Sequence, residues 1–116
     1  MIAWASLGSP PDLHLAVRGQ TPARLTSVNA ALLGARTLGA SEQFSFAGAD
    51  GAKVHGYVVK PQGWIPGKKY PIAFIVHGGP QVSFANHWSW RWNPQVYAGA
   101  GYGVVFIDFH GSPGYG

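Results

Sequence analysis

The sequence predicts an α/β architecture: a short parallel sheet preceded by a β-meander. Three observations carry this expectation. Two uninterrupted apolar runs, Ile72-Ala73-Phe74-Ile75-Val76 and Val104-Val105-Phe106-Ile107, read as strands, the first buried on both faces. Between them Asn93-Pro94 has the chemistry of a helix start, an N-cap followed by proline at the first helical position, and Gly99 or Gly101 can close that helix. Strand, helical crossover and strand make a βαβ unit, which pairs its strands in parallel. The third observation is composition. With 17 Gly and 9 Pro among 116 residues, turns are frequent and long helices few.

Taken in order, Ile2 and Trp4 alternate with small residues, Gly8-Ser9-Pro10-Pro11 reads as a turn, and Leu13, Leu15 and Val17 share one face opposite His14 and Ala16. This predicts a hairpin. A turn around Gly19 leads to a short extended piece over 24–27, completing a meander too small to be stable alone. Residues 29–38 hold Ala, Leu and Gly without a firm period and read as a connector or a short frayed helix, where a domain boundary is expected. Phe44 and Phe46 then alternate into Asp50-Gly51, the preferred pair for a tight turn at positive φ, and 54–59 return as the second strand of a hairpin. A Gly/Pro-rich loop over 61–69 precedes the first buried strand.

Composition also narrows the function. Apolar residues make up 47% and charged residues 10%, which argues against disorder and for burial within something larger. The formal charge of +4 comes from eight dispersed basic residues, with only Lys68 and Lys69 adjacent, so no nucleic-acid partner is expected. Cysteine is absent, which excludes disulfides and thiolate metal sites, and no His or acidic pair has metal-ligand spacing. Met1-Ile2-Ala3-Trp4-Ala5 followed by Gly8 and two prolines predicts neither a signal peptide nor a membrane anchor in these residues. Compartment and oligomeric state are not specified by any of this.

Two motifs carry chemistry. His77-Gly78-Gly79-Pro80 directly follows the first buried strand. Paired glycines let a backbone approach a ligand closely and turn N–H groups into open space, where they can donate to a developing oxyanion. In α/β-hydrolases such a loop supplies one of two oxyanion donors, the other coming from the residue after the nucleophile. The bland alternative is a plain Gly-rich turn. The second motif, Gly111-Ser112-Pro113-Gly114-Tyr115-Gly116, lies just past the carboxyl end of the second buried strand, where open α/β sheets gather their active-site loops. Its alternative is a turn of small residues.

Lys68-Lys69-Tyr70-Pro71, the apolar strand, His77-Gly78-Gly79-Pro80-Gln81, the aromatic stretch 88–92 with Asn93-Pro94-Gln95, Gly101-Tyr102 and the closing Gly-Ser-Pro-Gly-Tyr-Gly together resemble the S9 (prolyl oligopeptidase) family of serine peptidases, nearest its acylaminoacyl-peptidase and dipeptidyl-peptidase branch. The likeness is strong from about Glu42 onward. It implies that residues 39–116 are the N-terminal part of an α/β-hydrolase catalytic domain, truncated before the nucleophile, and that residues 1–38 resemble the last propeller blade with its connector. It implies hydrolysis of short peptides, by dipeptidyl or acylaminoacyl release, with a peptide substrate in the full-length enzyme and no cofactor. The Gly79 N–H becomes an oxyanion donor, Gly78 shapes the turn, and His77 is a structural residue of the loop. The sequence departs from the family at His110, where Arg is common, and at Ser112-Pro113, which puts any salt bridge at that corner in doubt.

No G-x-S-x-G elbow occurs, and Ser83, Ser89 and Ser112 lack its flanking glycines, so each reads as a loop hydroxyl. Asp108, His77, His87 and His110 precede the place of the triad in this fold; Asp108 is expected to fix a loop by hydrogen bonds. The chain alone is expected to be inactive and, with apolar strands uncovered, poorly soluble. Two alternatives stand beside this reading. One is a carboxylesterase or lipase of the same fold, although those more often carry a third glycine at position 80. The other is a non-catalytic interaction module using Trp88, Trp90 and Trp92, which can stack on a ligand but equally pack against a neighbouring domain.

Overall fold

A computed structural model describes residues 1–79 and 81–115. Pro80, the last residue of the first glycine motif, and Gly116, the last of the second, lie outside the described residues.

The chain opens with a three-stranded antiparallel sheet in the order β1 (Ile2–Ser6), β2 (Ser9–Leu15), β3 (Ala23–Arg24). The reversal between β1 and β2 is tighter than the sequence suggests, because Leu7 and Gly8 alone make the turn and both prolines belong to β2. A register shift between Trp4 and Ser6 accommodates them. Proline cannot donate to a ladder, so within a sheet it collects at such irregularities. The turn expected at Gly19 is present, with Gly19 at φ 78° and Gln20 N donating to Val17 O.

The apolar face expected of β2 is not its buried face. Leu13 and Leu15 are 44% and 47% exposed, whereas Pro10 and Asp12 on the opposite face are buried. Asp12 decides this by the partners it gathers. Its Oδ1 accepts from Thr26 Oγ1 at 2.7 Å and from Val28 N at 3.1 Å, and its Oδ2 is ion-paired with Arg24. The Thr26 hydroxyl and then the Arg24 guanidinium lower the carboxyl from 3.8 to about 2. A carboxyl lowered on folding stabilises fully above its unfolded pKa, and that contribution is lost as pH falls through the folded value. Protection of the Val28 amide, corrected for intrinsic exchange, is therefore expected to fall between about pH 4 and about pH 2. Asp12→Asn should abolish that pH dependence, and a Val28 amide equally protected at both ends of the window would refute the assignment.

A five-residue helix α1 (Ala30–Gly34) occupies the expected connector and buries none of its residues. The remaining strands form one mixed sheet in the order β4 (Ser41–Ala47), β5 (Lys53–Val59), β7 (Gly103–Asp108), β6 (Ile72–Ile75). The β4–β5 hairpin turns at Asp50 and Gly51, with φ of 55° and 74°, as the Asp-Gly pair predicts. β5 joins β7 antiparallel, while β6 and β7 run parallel and are connected through α2 (Pro94–Gly99). The Asn93 side chain caps α2 by accepting from Gln95 N at 2.9 Å, Pro94 occupies its first turn, and Gly101 follows it at φ 94°.

Period-two alternation sorts the sheet into two faces. Val59, Val104 and Phe106 form the core with Ala98 of α2 and Leu7 of the meander; Tyr57, Ala73, Ile75, Phe84 and Tyr97 pack around them. The opposite face is bare at β6, where Ile72 and Phe74 are 60% and 56% exposed. The expectation that β6 is buried on both faces is thus not met within this chain. The run 72–76 is apolar at every position, but β6 is the edge of the four-stranded sheet and α2 covers a single face. Among the described residues, no helix is long and apolar enough to cross a membrane.

Candidate active-site loops

The register of the sheet sets the site. On the core face Ile75 pairs with Phe106, and His55 pairs with Asp108. Two residues further along, His77 leaves the carboxyl end of β6 beside Asp108, its Nε2 lying 3.8 Å from Asp108 Oδ1. Alternation therefore lines up His77, Asp108 and His55 across the sheet end from which the glycine loops emerge.

His77 is buried and its ring is held on both sides. It stacks on Phe109 with centroids 4.3 Å apart and meets the edge of Phe84 at 5.8 Å. Nδ1 lies 3.2 Å from Gly78 O, and Nε2 lies 2.9 Å from the buried hydroxyl of Ser112. One imidazole thus touches both glycine loops.

Beyond it, Gly78 and Gly79 are exposed. Gly79 sits at φ 47°, in the left-handed region that L side chains avoid, and space is open where a Cβ would stand. Among the described residues, neither the Gly78 nor the Gly79 N–H donates to another group. Backbone amides without a partner at such a turn can donate to negative charge.

Asp108 fixes a loop, as its position suggests, but it is the loop after β6, where its Oδ1 accepts from Phe84 N at 3.0 Å. Its Oδ2 is buried and has no hydrogen-bond partner among the described residues. The carboxylate is felt nearby. Burial, and then Asp108, push the Tyr115 phenol up to about 12. Tyr115 stacks on His55 at 4.2 Å, and the two border a cavity of about 290 Å³ with Lys53, Asp108 and His110. His110 is exposed, and no ion pair to it is formed among the described residues.

Of the three tryptophans, Trp88 is half-buried and meets Trp90 edge-on at 5.9 Å, while Trp90 and Trp92 are exposed. Among the described residues, no group of three His, Cys, Asp or Glu is placed to hold a metal ion. The contact that reading the sequence missed is that between His77 and Ser112, thirty-five positions apart. Both residues lie in singled-out motifs, but nothing in either motif announces the other.

No family model matches the chain. Over 75 residues, 65% of this chain and 11% of the relative, it is 48% identical to dipeptidyl-peptidase 5 of Schizosaccharomyces pombe. Over 69 residues, 58% of this chain and 10% of the relative, it is 52% identical to a probable dipeptidyl-peptidase 5 of Arthroderma benhamiae. An acylaminoacyl peptidase solved in complex with Z-Gly-Gly-Phe-chloromethyl ketone superposes with a TM-score of 0.81 and 26% identity, covering 96% of this chain and 17% of that one. The acylaminoacyl peptidase of Pyrococcus horikoshii gives 0.79 and 27% over the same shares. The fold is therefore that of the first strands of an α/β-hydrolase sheet with a β-meander ahead of it. The dipeptidyl-peptidase relatives and the acylaminoacyl-peptidase structures together make the chain similar to a segment of the S9 serine peptidases. It spans about a tenth of the length of the curated relatives it matches.

Proposed function

We propose that the protein containing this span is a serine-type peptidase that releases dipeptidyl or acylaminoacyl units from short peptides, and that Gly79 supplies one oxyanion donor. The observation that carries the reading is the pair of amides at Gly78 and Gly79, which have no partner among the described residues and are held beyond β6 by a buried histidine. In such an enzyme a serine outside these residues attacks the scissile carbonyl, and the carbonyl oxygen takes up the electron pair of the broken π bond. The Gly79 N–H donates to that oxygen while the amine leaves with a proton from the general acid; water then hydrolyses the ester. Gly78 shapes the bend that presents the amide.

Within this proposal residues 1–38 are the end of a propeller with its connector, and residues 39–116 begin the catalytic domain. The exposed helix α1 and the change from one sheet to another support a boundary there. The bare face of β6 fits a sheet that continues with further layers.

Activity of the full-length protein on dipeptidyl and acylaminoacyl anilides tests the reading. Cleavage of either, together with covalent labelling by a fluorophosphonate, is expected. The 116-residue chain alone should remain unlabelled. Hydrolysis of p-nitrophenyl esters with no anilide turnover would instead make the protein an esterase of this fold, and labelling of the isolated chain would contradict the placement of the nucleophile elsewhere.

A further inference from the structure

We infer that Ser112 is a positioning residue for the oxyanion donor, acting through the tautomer of His77; the inference rests on the reading of Gly79 given above. The argument begins with the peptide unit joining Gly78 to Gly79. It is planar and trans, so the Gly78 carbonyl and the Gly79 N–H point in opposite directions from one rigid plate. Whatever holds the carbonyl aims the amide.

His77 Nδ1 holds the carbonyl at 3.2 Å. A carbonyl oxygen only accepts, so Nδ1 carries the hydrogen, and in a neutral ring Nε2 is then a bare acceptor. The group facing Nε2 at 2.9 Å is the Ser112 hydroxyl, which can donate to it. Ser112 is itself fixed, being buried, with its N–H donating to Phe109 O at 3.0 Å. Stacking on Phe109 and the edge contact with Phe84 hold the ring plane against rotation.

A competitor makes the serine necessary. Asp108 Oδ1 lies 3.8 Å from the same Nε2 and, being an acceptor, favours the tautomer with hydrogen on Nε2. That tautomer would turn a lone pair of Nδ1 toward Gly78 O. Two acceptors at that separation repel, the plate rotates, and the Gly79 amide loses its aim. Ser112 decides between the tautomers, and it stands in the loop after β7, so the two glycine motifs act as one device.

The test uses the full-length enzyme with a dipeptidyl anilide as substrate. Its probes are a peptide aldehyde, whose serine adduct carries the oxyanion, and the matching alcohol, which forms no adduct. Ser112→Ala is expected to lower kcat and aldehyde affinity together by about tenfold, with KM and alcohol affinity within about twofold, as for loss of an interaction made in the transition state. Ser112→Thr should restore both, since it returns the hydroxyl. His77→Asn, which carries an amide nitrogen near the place of Nδ1, should retain more aldehyde affinity than His77→Gln, whose nitrogen falls near Nε2. Wild-type kcat and aldehyde affinity in Ser112→Ala, while Gly79→Val loses both, would sink the inference and leave the reading intact. Unchanged values in Gly79→Val would sink the reading itself. Should Ser112→Ala not fold, the ordering of the two His77 variants decides, and a reversed or equal ordering counts against the inference.

Discussion

Gly79→Val in the full-length protein is expected, on the proposed role of Gly79 as an oxyanion donor, to lower kcat on a dipeptidyl anilide by about 10²- to 10³-fold, the loss of roughly 2.7–4 kcal/mol that follows removal of one such donor. The cause is backbone rather than bulk. A Cβ at Gly79 would meet nothing within 4 Å, but the residue sits at φ 47°, which a β-branched side chain scarcely tolerates. Valine therefore drives φ negative and turns the amide away from the oxyanion. Two comparisons separate this from a general disturbance. Gly79→Asn, the side chain that best accepts left-handed backbone, should stay within about tenfold of wild type. Gly78→Ala should be milder still, because Gly78 is not at positive φ and space is also open there. Equal losses in all three variants would mean that the conformation of Gly79 is not what the reaction needs.

Replacing Gln95 by methionine is expected to loosen the junction between the two sheets by about 3 kcal/mol, the sum of a few buried groups left unpaired at roughly 1–3 kcal/mol each. The Gln95 amide is buried, and its Oε1 accepts from Gly39 N at 2.8 Å while Nε2 donates to Gly39 O and Leu7 O, both at 3.1 Å. One side chain at the start of α2 thus ties the β1–β2 turn to the strand entry at β4. Asn86 adds to the tie by accepting from Leu7 N at 2.9 Å. Gly39 is needed at this crossing, since a Cβ there would come within 2.1 Å of Lys60 O. Methionine keeps the length of glutamine and removes its polarity, so the effect isolates the hydrogen bonds. Exchange of the Gly39 amide in the full-length protein reads it locally, without requiring the whole chain to unfold in one step. An exchange rate unchanged in Gln95→Met would show that the tie contributes nothing.

Much of the architecture was legible because it is written in local chemistry. Asp50-Gly51 fixes a hairpin by the φ values it tolerates, Asn93-Pro94 starts a helix by capping, and the apolar run 104–107 is a strand between two sheet neighbours, with Val104 and Phe106 buried and Val105 and Ile107 partly so. The glycine motif after β6 was visible for the same reason, as a demand on backbone conformation. Elsewhere local chemistry misled. The alternation of Leu13 and Leu15 points to an apolar buried face, yet Asp12 turns the opposite face inward by binding Arg24, Thr26 and Val28. The double proline after Gly8 resembles a turn, yet a register shift takes it into the strand.

By itself, then, the sequence determined most of the segments that extend and the turns at Gly19, Asp50-Gly51 and Gly101, since these depend on neighbours one to four positions away. Only the tertiary structure decided that His77 meets Ser112, that Asp108 stands beside His77, that Gln95 joins Leu7 to Gly39, and that Gly79 rather than Gly78 takes the positive φ. Those contacts link residues tens of positions apart through the register of a mixed sheet. Register is set by the sum of packing across the sheet and by no single residue in it.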